Sequence, residues 1–225
     1  MNLLESYLNG TLNMAAEELA EHLFVRPKHS DDSDMNRLES DMIFKSYADI
    51  KLVVYLRLKE EGGALDSTIL RKSLFSEQLT EEQSRLFYDV AFENTIKSAP
   101  AALYKNIFDI ENSANLLQTA DYYGIKENNT LLLTTERKTN GAISVFYPGV
   151  LKKVSDIFGT DLFIAFTSIH EAMIHSVGSI DARSIQRNVQ ETNRVFGPDD
   201  TLSNCVFRYF REAGKLALVE IKEVA

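Results

Sequence analysis

The sequence predicts an α+β fold, with a mixed, largely antiparallel sheet and several packed helices. Three observations predict this class: short apolar runs bounded by turn residues, a few amphipathic stretches with clear ends, and hairpins that interrupt any regular strand-helix alternation. A length of 225 residues allows one or two domains. We divide the chain into residues 1–45, an N-terminal helical segment with an acidic loop, and residues 46–225, a mixed α/β domain.

The first segment is predicted to contain two short amphipathic helices, over residues 3–8 and 11–24, followed by a mobile polar loop over residues 26–34. This loop resembles the start of a calcium-binding loop. The required Gly and Glu at its sixth and twelfth positions are replaced by Arg37 and Ile43. We therefore predict a solvated acidic loop without a metal ion.

The middle of the chain gives one strand and one well-delimited helix. The β-branched run over residues 50–56 predicts the strand. Thr80 and Gln83 form a capping box, which predicts a helix over residues 80–97. After Pro100 the apolar spacing over residues 101–110 predicts that helical structure resumes.

The clearest patterning lies between residues 131 and 177. An apolar run, the turn signal Asn140-Gly141 and a second apolar run over residues 142–147 predict an antiparallel hairpin. A helix over residues 148–158 should follow, ended by Gly159 in the left-handed conformation. Two further strands should flank a turn near residues 168–171.

The C-terminal part predicts one more helix and one more hairpin. Ser179 or Asp181 can cap a helix that Gly197-Pro198 must end. The runs over residues 205–209 and 216–221 then predict two paired strands.

Composition limits the compartment and the partners. The net charge is −9 and the isoelectric point is about 5.0, which argues against nucleic acid as a partner and fits a protein partner with a basic surface. The single cysteine excludes a disulfide within the chain, which suits a reducing compartment. No run reaches the roughly 20 apolar residues of a membrane span. We expect a cytoplasmic protein that does not bind membranes, and homo-oligomerisation stays open.

The side chains best suited to catalysis or metal binding are those of His170, Glu171 and His175. They resemble the zinc-protease motif, in which two histidines lie four residues apart on one helix face. Here the histidines are five residues apart, so they diverge on a helix or a strand unless a turn or bulge brings them together. Ser168 is a weak nucleophile candidate beside His170, because no third residue is placed to orient the pair. We predict no metal site, and His170, Glu171 and Ser168 remain weak catalytic candidates.

The usual cofactor motifs are absent from the sequence. It has no glycine-rich nucleotide loop and no nucleophile elbow, so we predict no cofactor. Arg183, Arg187 and Arg194 lie on the polar side of the last predicted helix and are candidates for binding an acidic partner. The alternative is that these arginines bind no partner and only form a solvent-exposed helix face.

An ordered set of short motifs resembles a family of bacterial domains of unknown function that is also carried on mobile elements. The resemblance covers roughly residues 49–209 and consists of these segments: AFENT at 91–95, NGA at 140–142, YPGVL at 147–151, DLFI at 161–164 and SIHE at 168–171. The family pattern has Pro-Ser-Ser where this chain has Phe166-Thr167-Ser168. The resemblance implies a compact mixed α/β domain and assigns no activity.

Two functional hypotheses follow. The first is a binding or regulatory protein of phage or mobile-element origin that acts on a host protein. The alternative is a hydrolase or nucleotide-processing enzyme that uses His170 and Glu171. An enzyme needs these side chains to converge with other polar groups in a concave site, whereas a binding protein needs an exposed contact surface.

Overall fold

The structure is a computed structural model that describes residues 16–61, 64–75, 77–105, 113–119, 125 and 130–221. The chain divides into two compact units, residues 1–98 and residues 99–225. Helices and antiparallel sheets occur together, so the predicted α+β class is confirmed. The helix predicted over residues 3–8 and most of the segment at 106–129 lie outside the described residues.

The first unit is built on a four-stranded antiparallel sheet. In chain order its elements are α1 (Ala16–Glu21), β1 (Leu23–His29), α2 (Ser33–Leu38), β2 (Phe44–Tyr47), β3 (Ile50–Glu61), β4 (Ala64–Ile69) and α3 (Glu81–Ser98). The long strand β3 pairs with β1 along one side and with β2 and β4 along the other. Its strand-forming residues Leu52, Val53, Val54 and Leu56 are fully buried, which explains why this run was recognisable in the sequence.

Helix α3 begins as the capping box predicts. The Thr80 N–H donates to Gln83 Oε1 at 2.9 Å, and the Gln83 N–H donates to Thr80 Oγ1 at 3.1 Å. These two bonds satisfy backbone donors that a helix start leaves free. The predicted helix is therefore confirmed.

Two predictions for the first unit need correction. Helix α1 confirms part of the helix predicted over residues 11–24, but it ends at Glu21 because Leu23 already belongs to β1. The loop predicted over residues 26–34 is part of that strand up to His29, and α2 begins at Ser33. Pro27 is accommodated because β1 is an edge strand of the sheet, where a missing N–H costs least. The predicted boundary after residue 45 lies inside this unit.

The second unit is built on a six-stranded antiparallel sheet in the order β10-β9-β7-β8-β6-β5. Its elements in chain order are β5 (Ala101–Tyr104), β6 (Thr130–Thr135), α4 (Val150–Phe158), β7 (Leu162–Ser168), β8 (Glu171–Ser176), α5 (Ala182–Phe196), β9 (Val206–Phe210) and β10 (Lys215–Leu218). Helix α5 packs Ile185 and Val189 against Ala165 and Val206 of the sheet. Leu151, Val154 and Phe158 of α4 are also buried.

Most predicted elements of the second unit are confirmed. Gly159 ends α4 with φ of 75°. The Asp181 side chain caps α5 by accepting a hydrogen bond from the Ser184 N–H at 2.9 Å, and Gly197 ends that helix. The hairpins β7–β8 and β9–β10 form as predicted. Among the described residues, no helix is long and apolar enough to cross a membrane.

Two predictions for the second unit are wrong. Residues 142–147 do not form a strand, because Gly141–Phe146 is a 3-10 helix. Residues Gly141 to Val145 are all buried, so the apolar run shows no helical periodicity and was mistaken for a strand. The helix predicted from residue 101 is strand β5, which pairs with β6. There, tertiary pairing overrides the helix propensity of an alanine-rich run.

Candidate functional site

The candidate site is the turn between β7 and β8, where the sequence places its weak catalytic candidates. Pairing between the two strands shifts register between Phe166 and Ser168, so the hairpin closes through a bulge. This bulge puts Ile169 and His170 in the turn itself. We call the turn, together with Thr134, Asn140, Gly141 and Asp200 around it, the His170 turn.

The His170 ring is engaged through both of its nitrogen atoms. Nδ1 accepts a hydrogen bond from the Asn140 backbone N–H at 3.0 Å, and Nε2 lies 3.7 Å from Asp200 Oδ1. Because Nδ1 accepts, a neutral ring must carry its proton on Nε2, which faces the carboxylate. Neither nitrogen therefore offers a free lone pair to a substrate.

The backbone of the same turn is fixed by three neighbours. Thr134 Oγ1 donates to the His170 carbonyl oxygen at 2.8 Å, and the Ile169 N–H donates to the Asp200 carbonyl oxygen at 2.8 Å. The Ala142 N–H donates to the Ile169 carbonyl oxygen at 3.3 Å. Strand β6, the 3-10 helix and the loop around residue 200 thus converge on two turn residues.

Ser168 and Glu171 also have structural partners. The buried Ser168 hydroxyl accepts a hydrogen bond from the His170 N–H at 3.0 Å, which is a local turn contact rather than a contact with the ring. The Glu171 carboxylate accepts a hydrogen bond from Thr167 Oγ1 at 3.2 Å across the bulge. These partners do not assemble the nucleophile, base and orienting group that covalent catalysis requires.

Gly141 is where the 3-10 helix approaches the turn most closely. A Cβ atom on this residue would lie 2.0 Å from Thr134 Oγ1, 2.5 Å from the His170 carbonyl oxygen and 2.7 Å from the Thr135 nitrogen. Only glycine fits these distances without moving the backbone. The neighbouring Asn140 adopts a left-handed conformation with φ of 51°, and this turns the chain into the 3-10 helix.

His175 does not join His170. It lies near the other end of β8, roughly 13 Å along the strand from Glu171 at about 3.3 Å per residue. Its Nδ1 is 3.1 Å from Thr130 Oγ1 on the paired strand β6. Burial lowers the pKa of His175 to about 4, so the ring is neutral near pH 7. The described residues contain no group of three or more His, Cys, Asp or Glu side chains that could hold a metal ion.

Other residues of the sequence motifs also hold the fold together. In α3, Asn94 donates to the carbonyl oxygens of Ala20 and Leu23, and Thr95 Oγ1 accepts a hydrogen bond from the Val25 N–H. The Tyr147 hydroxyl donates to the Ala99 carbonyl oxygen at 3.1 Å, and burial raises the pKa of this phenol. The motif residues thus fasten strand ends and turns.

Asp161, immediately before β7, fastens the start of that strand to the end of β9. Its Oδ1 accepts from the Arg211 N–H at 2.9 Å, and its Oδ2 accepts from the Arg208 guanidinium at 2.7 Å. These two hydrogen bonds hold the pKa of Asp161 below its ordinary value. The sequence pattern could not predict the contact between Asp161 and Arg208, which are 47 residues apart. It could not predict the contact between Asp200 and His170 either, since these are 30 residues apart.

The three candidate binding residues Arg183, Arg187 and Arg194 are all exposed on α5. Their spacing of four and seven residues keeps them within about 40° of one another around the helix axis. The last two residues of the helix are large exposed apolar side chains, Val195 at 83% and Phe196 at 57% exposure. They are turned about 100° and 200° around the axis from Arg194, so they extend the surface around the end of the helix and do not line up with the arginines. We call these five residues the α5 face.

The comparisons with known proteins give a family and no activity. The model of DUF5688, a family of unknown function, matches residues 30–211, which confirms the resemblance to a family of unknown function. The bacterial or mobile-element origin stays a prediction. No curated protein and no solved structure matches the chain.

Proposed function

This chain belongs to the DUF5688 family, and we propose that it is a non-enzymatic protein that binds another protein through the α5 face. The observation that carries this proposal is the exposure of three aligned arginines beside Val195 and Phe196. The exposed Glu191 lies between Arg187 and Arg194 on the same side of the helix, so this side carries three cations and one carboxylate. In a chain of net charge −9, a surface with net positive charge is a local exception. A regulatory role and a host protein as the target belong to the proposal as well.

The chemistry of the α5 face specifies the kind of partner. Arginine recognises carboxylates by paired hydrogen bonds and keeps its charge at every physiological pH. Exposed charge pairs contribute only about 0.2–1 kcal/mol each, so the arginines orient the partner more than they hold it. Burial of Val195 and Phe196 supplies the apolar contact that a stable interface needs. The partner is therefore a protein segment with acidic side chains flanking an apolar residue.

The enzyme alternative has weaker support in the geometry. His170 Nδ1 accepts a hydrogen bond and Nε2 faces Asp200, while Ser168 and Glu171 bind turn atoms. These contacts shape the turn. This pattern is typical of a structural brace and leaves no pair of groups poised for acid-base chemistry.

Charge reversal on α5 tests the proposal. A photoreactive residue in place of the exposed Asn188 should crosslink a stoichiometric partner in host lysate. We expect Arg187→Glu/Arg194→Glu to reduce the crosslinked complex at least tenfold, since attraction becomes repulsion at two positions. The variant Val195→Ser/Phe196→Ser should reduce it similarly by removing the apolar contact.

Two control variants are used: one makes the same change in net charge on another helix, and the other alters the His170 turn. Arg85→Glu/Lys97→Glu reverses two cations on α3 and should leave the complex intact, as should His170→Asn. Folding of each variant is checked by circular dichroism. If the complex persists in Arg187→Glu/Arg194→Glu, or is lost only when folded His170 variants are used, the α5 face is not the contact surface.

A further inference from the structure

A second basic surface lies in the first unit, in a cleft of about 410 Å³. Its described lining consists of Arg37, Leu38, Tyr55, Ser67, Thr68, Ile69 and Arg71. Two of these residues are arginines, three carry hydroxyl groups, and none is acidic. A volume of this size suits a small organic molecule.

The two arginine-bearing segments are tied together. Asp41 accepts hydrogen bonds from the Ser73 N–H at 2.7 Å and from the Ser73 hydroxyl at 2.6 Å. Met42 and Arg71 form an antiparallel bridge beside these contacts. The end of α2, which carries Arg37, is therefore held in register with the segment that follows β4. These contacts fix the backbone at Arg71 relative to the end of α2.

The sheet behind the cleft adds further positive charge. Arg26 lies with its guanidinium carbon 5.1 Å from the ring centre of Tyr55, which lines the cleft. Its Nε is buried and has no hydrogen-bond partner. Arg57 is directly opposite Ser67 in the β3–β4 register, so both side chains share one face of the sheet. Arg26 and Arg57 thus lie on the sheet face behind the cleft, while Arg37 and Arg71 line the cleft itself.

We propose that this cleft binds a phosphomonoester, a small molecule whose dianionic phosphate contacts Arg37 and Arg71 and accepts a hydrogen bond from Ser67. Arginine pairs with phosphate through two parallel N–H groups, which gives both strength and orientation. The remaining volume lies against Leu38, Tyr55 and Ile69 and accommodates the organic part of the ligand. This site is independent of the α5 face, which belongs to the other unit.

Isothermal titration with three probes tests the site in the full chain. Inorganic phosphate and ribose 5-phosphate should bind saturably at one site, whereas ribose should not bind. We expect Arg71→Gln to weaken binding at least tenfold, and Arg37→Gln to do the same, since each removes a charge-assisted contact. Arg85→Gln, an exposed cation on α3, is the matched control and should bind like the unaltered protein.

Each outcome decides the proposal. If Arg71→Gln fails to fold, Arg37→Gln and Ser67→Ala carry the test, because both residues are at least partly exposed. Ser67→Ala should weaken phosphate binding by roughly three- to tenfold. Absence of saturable binding by either phosphate probe, or binding that is unchanged in Arg37→Gln and Ser67→Ala, would overturn the proposal.

Discussion

Replacement of Gly141 by alanine is expected to lower the free energy of unfolding by about 3 kcal/mol, the upper end of the cost of overpacking. The new Cβ would lie 2.5 Å from the His170 carbonyl oxygen and 2.7 Å from the Thr135 nitrogen. Both are backbone atoms, so relief requires strand β6 or the His170 turn to move. Urea unfolding followed by circular dichroism measures the loss.

Gly159→Ala is the matched control. Gly159 has a positive φ of 75°, unlike Gly141, and a Cβ there would meet no atom within 4 Å. Its cost should be about 1–2 kcal/mol, from left-handed strain without a clash. If the two alanine variants are equally stable, close packing at Gly141 does not hold the 3-10 helix against the turn.

Acid should destabilise the protein through His175. Burial lowers its pKa to about 4 in the folded state, against about 6.5 for an unperturbed histidine. Between these values the unfolded chain binds a proton that the folded chain does not, so stability is fully present above pH 6.5 and falls as the pH is lowered. A shift of this size corresponds to about 3 kcal/mol lost by pH 4.

The variant His175→Gln isolates this contribution. Its amide can still reach Thr130 but does not titrate, so the loss of stability between pH 6.5 and pH 4 should shrink by about 3 kcal/mol relative to the unaltered protein. Equal pH dependence in the unaltered protein and His175→Gln would show that His175 is not buried in its neutral form.

The helix ends that the sequence predicts correctly are those marked by capping residues or by glycine. Thr80 and Gln83 mark the start of α3, and Gly159 and Gly197 mark the ends of α4 and α5, because caps and left-handed turns depend on neighbouring residues alone. The segment at Gly141–Phe146 could not be predicted this way. It is buried on every side, so its apolar residues show neither helical nor strand periodicity.

The candidate site was predicted in part. The odd spacing of His170 and His175 indicated that they would diverge, and the structure places them at opposite ends of β8. The partners of His170 could not be predicted, because Asn140 contributes only its backbone N–H and Asp200 lies in a loop without periodicity. The basic cleft was also missed, since its residues come from separate segments joined by strand pairing.

We propose that His170 braces the fold and does not act as a catalytic base. Two-bond proton-nitrogen correlation spectra of the histidine rings at pH 7.5 show which ring nitrogen carries the proton, and the signal of His170 is identified by its absence from the His170→Asn spectrum. We expect a proton on Nε2 and a bare, hydrogen-bonded Nδ1. A proton on Nδ1 would overturn this proposal, because the Asn140 N–H could then not donate to the ring and Nε2 would be free to act as a base.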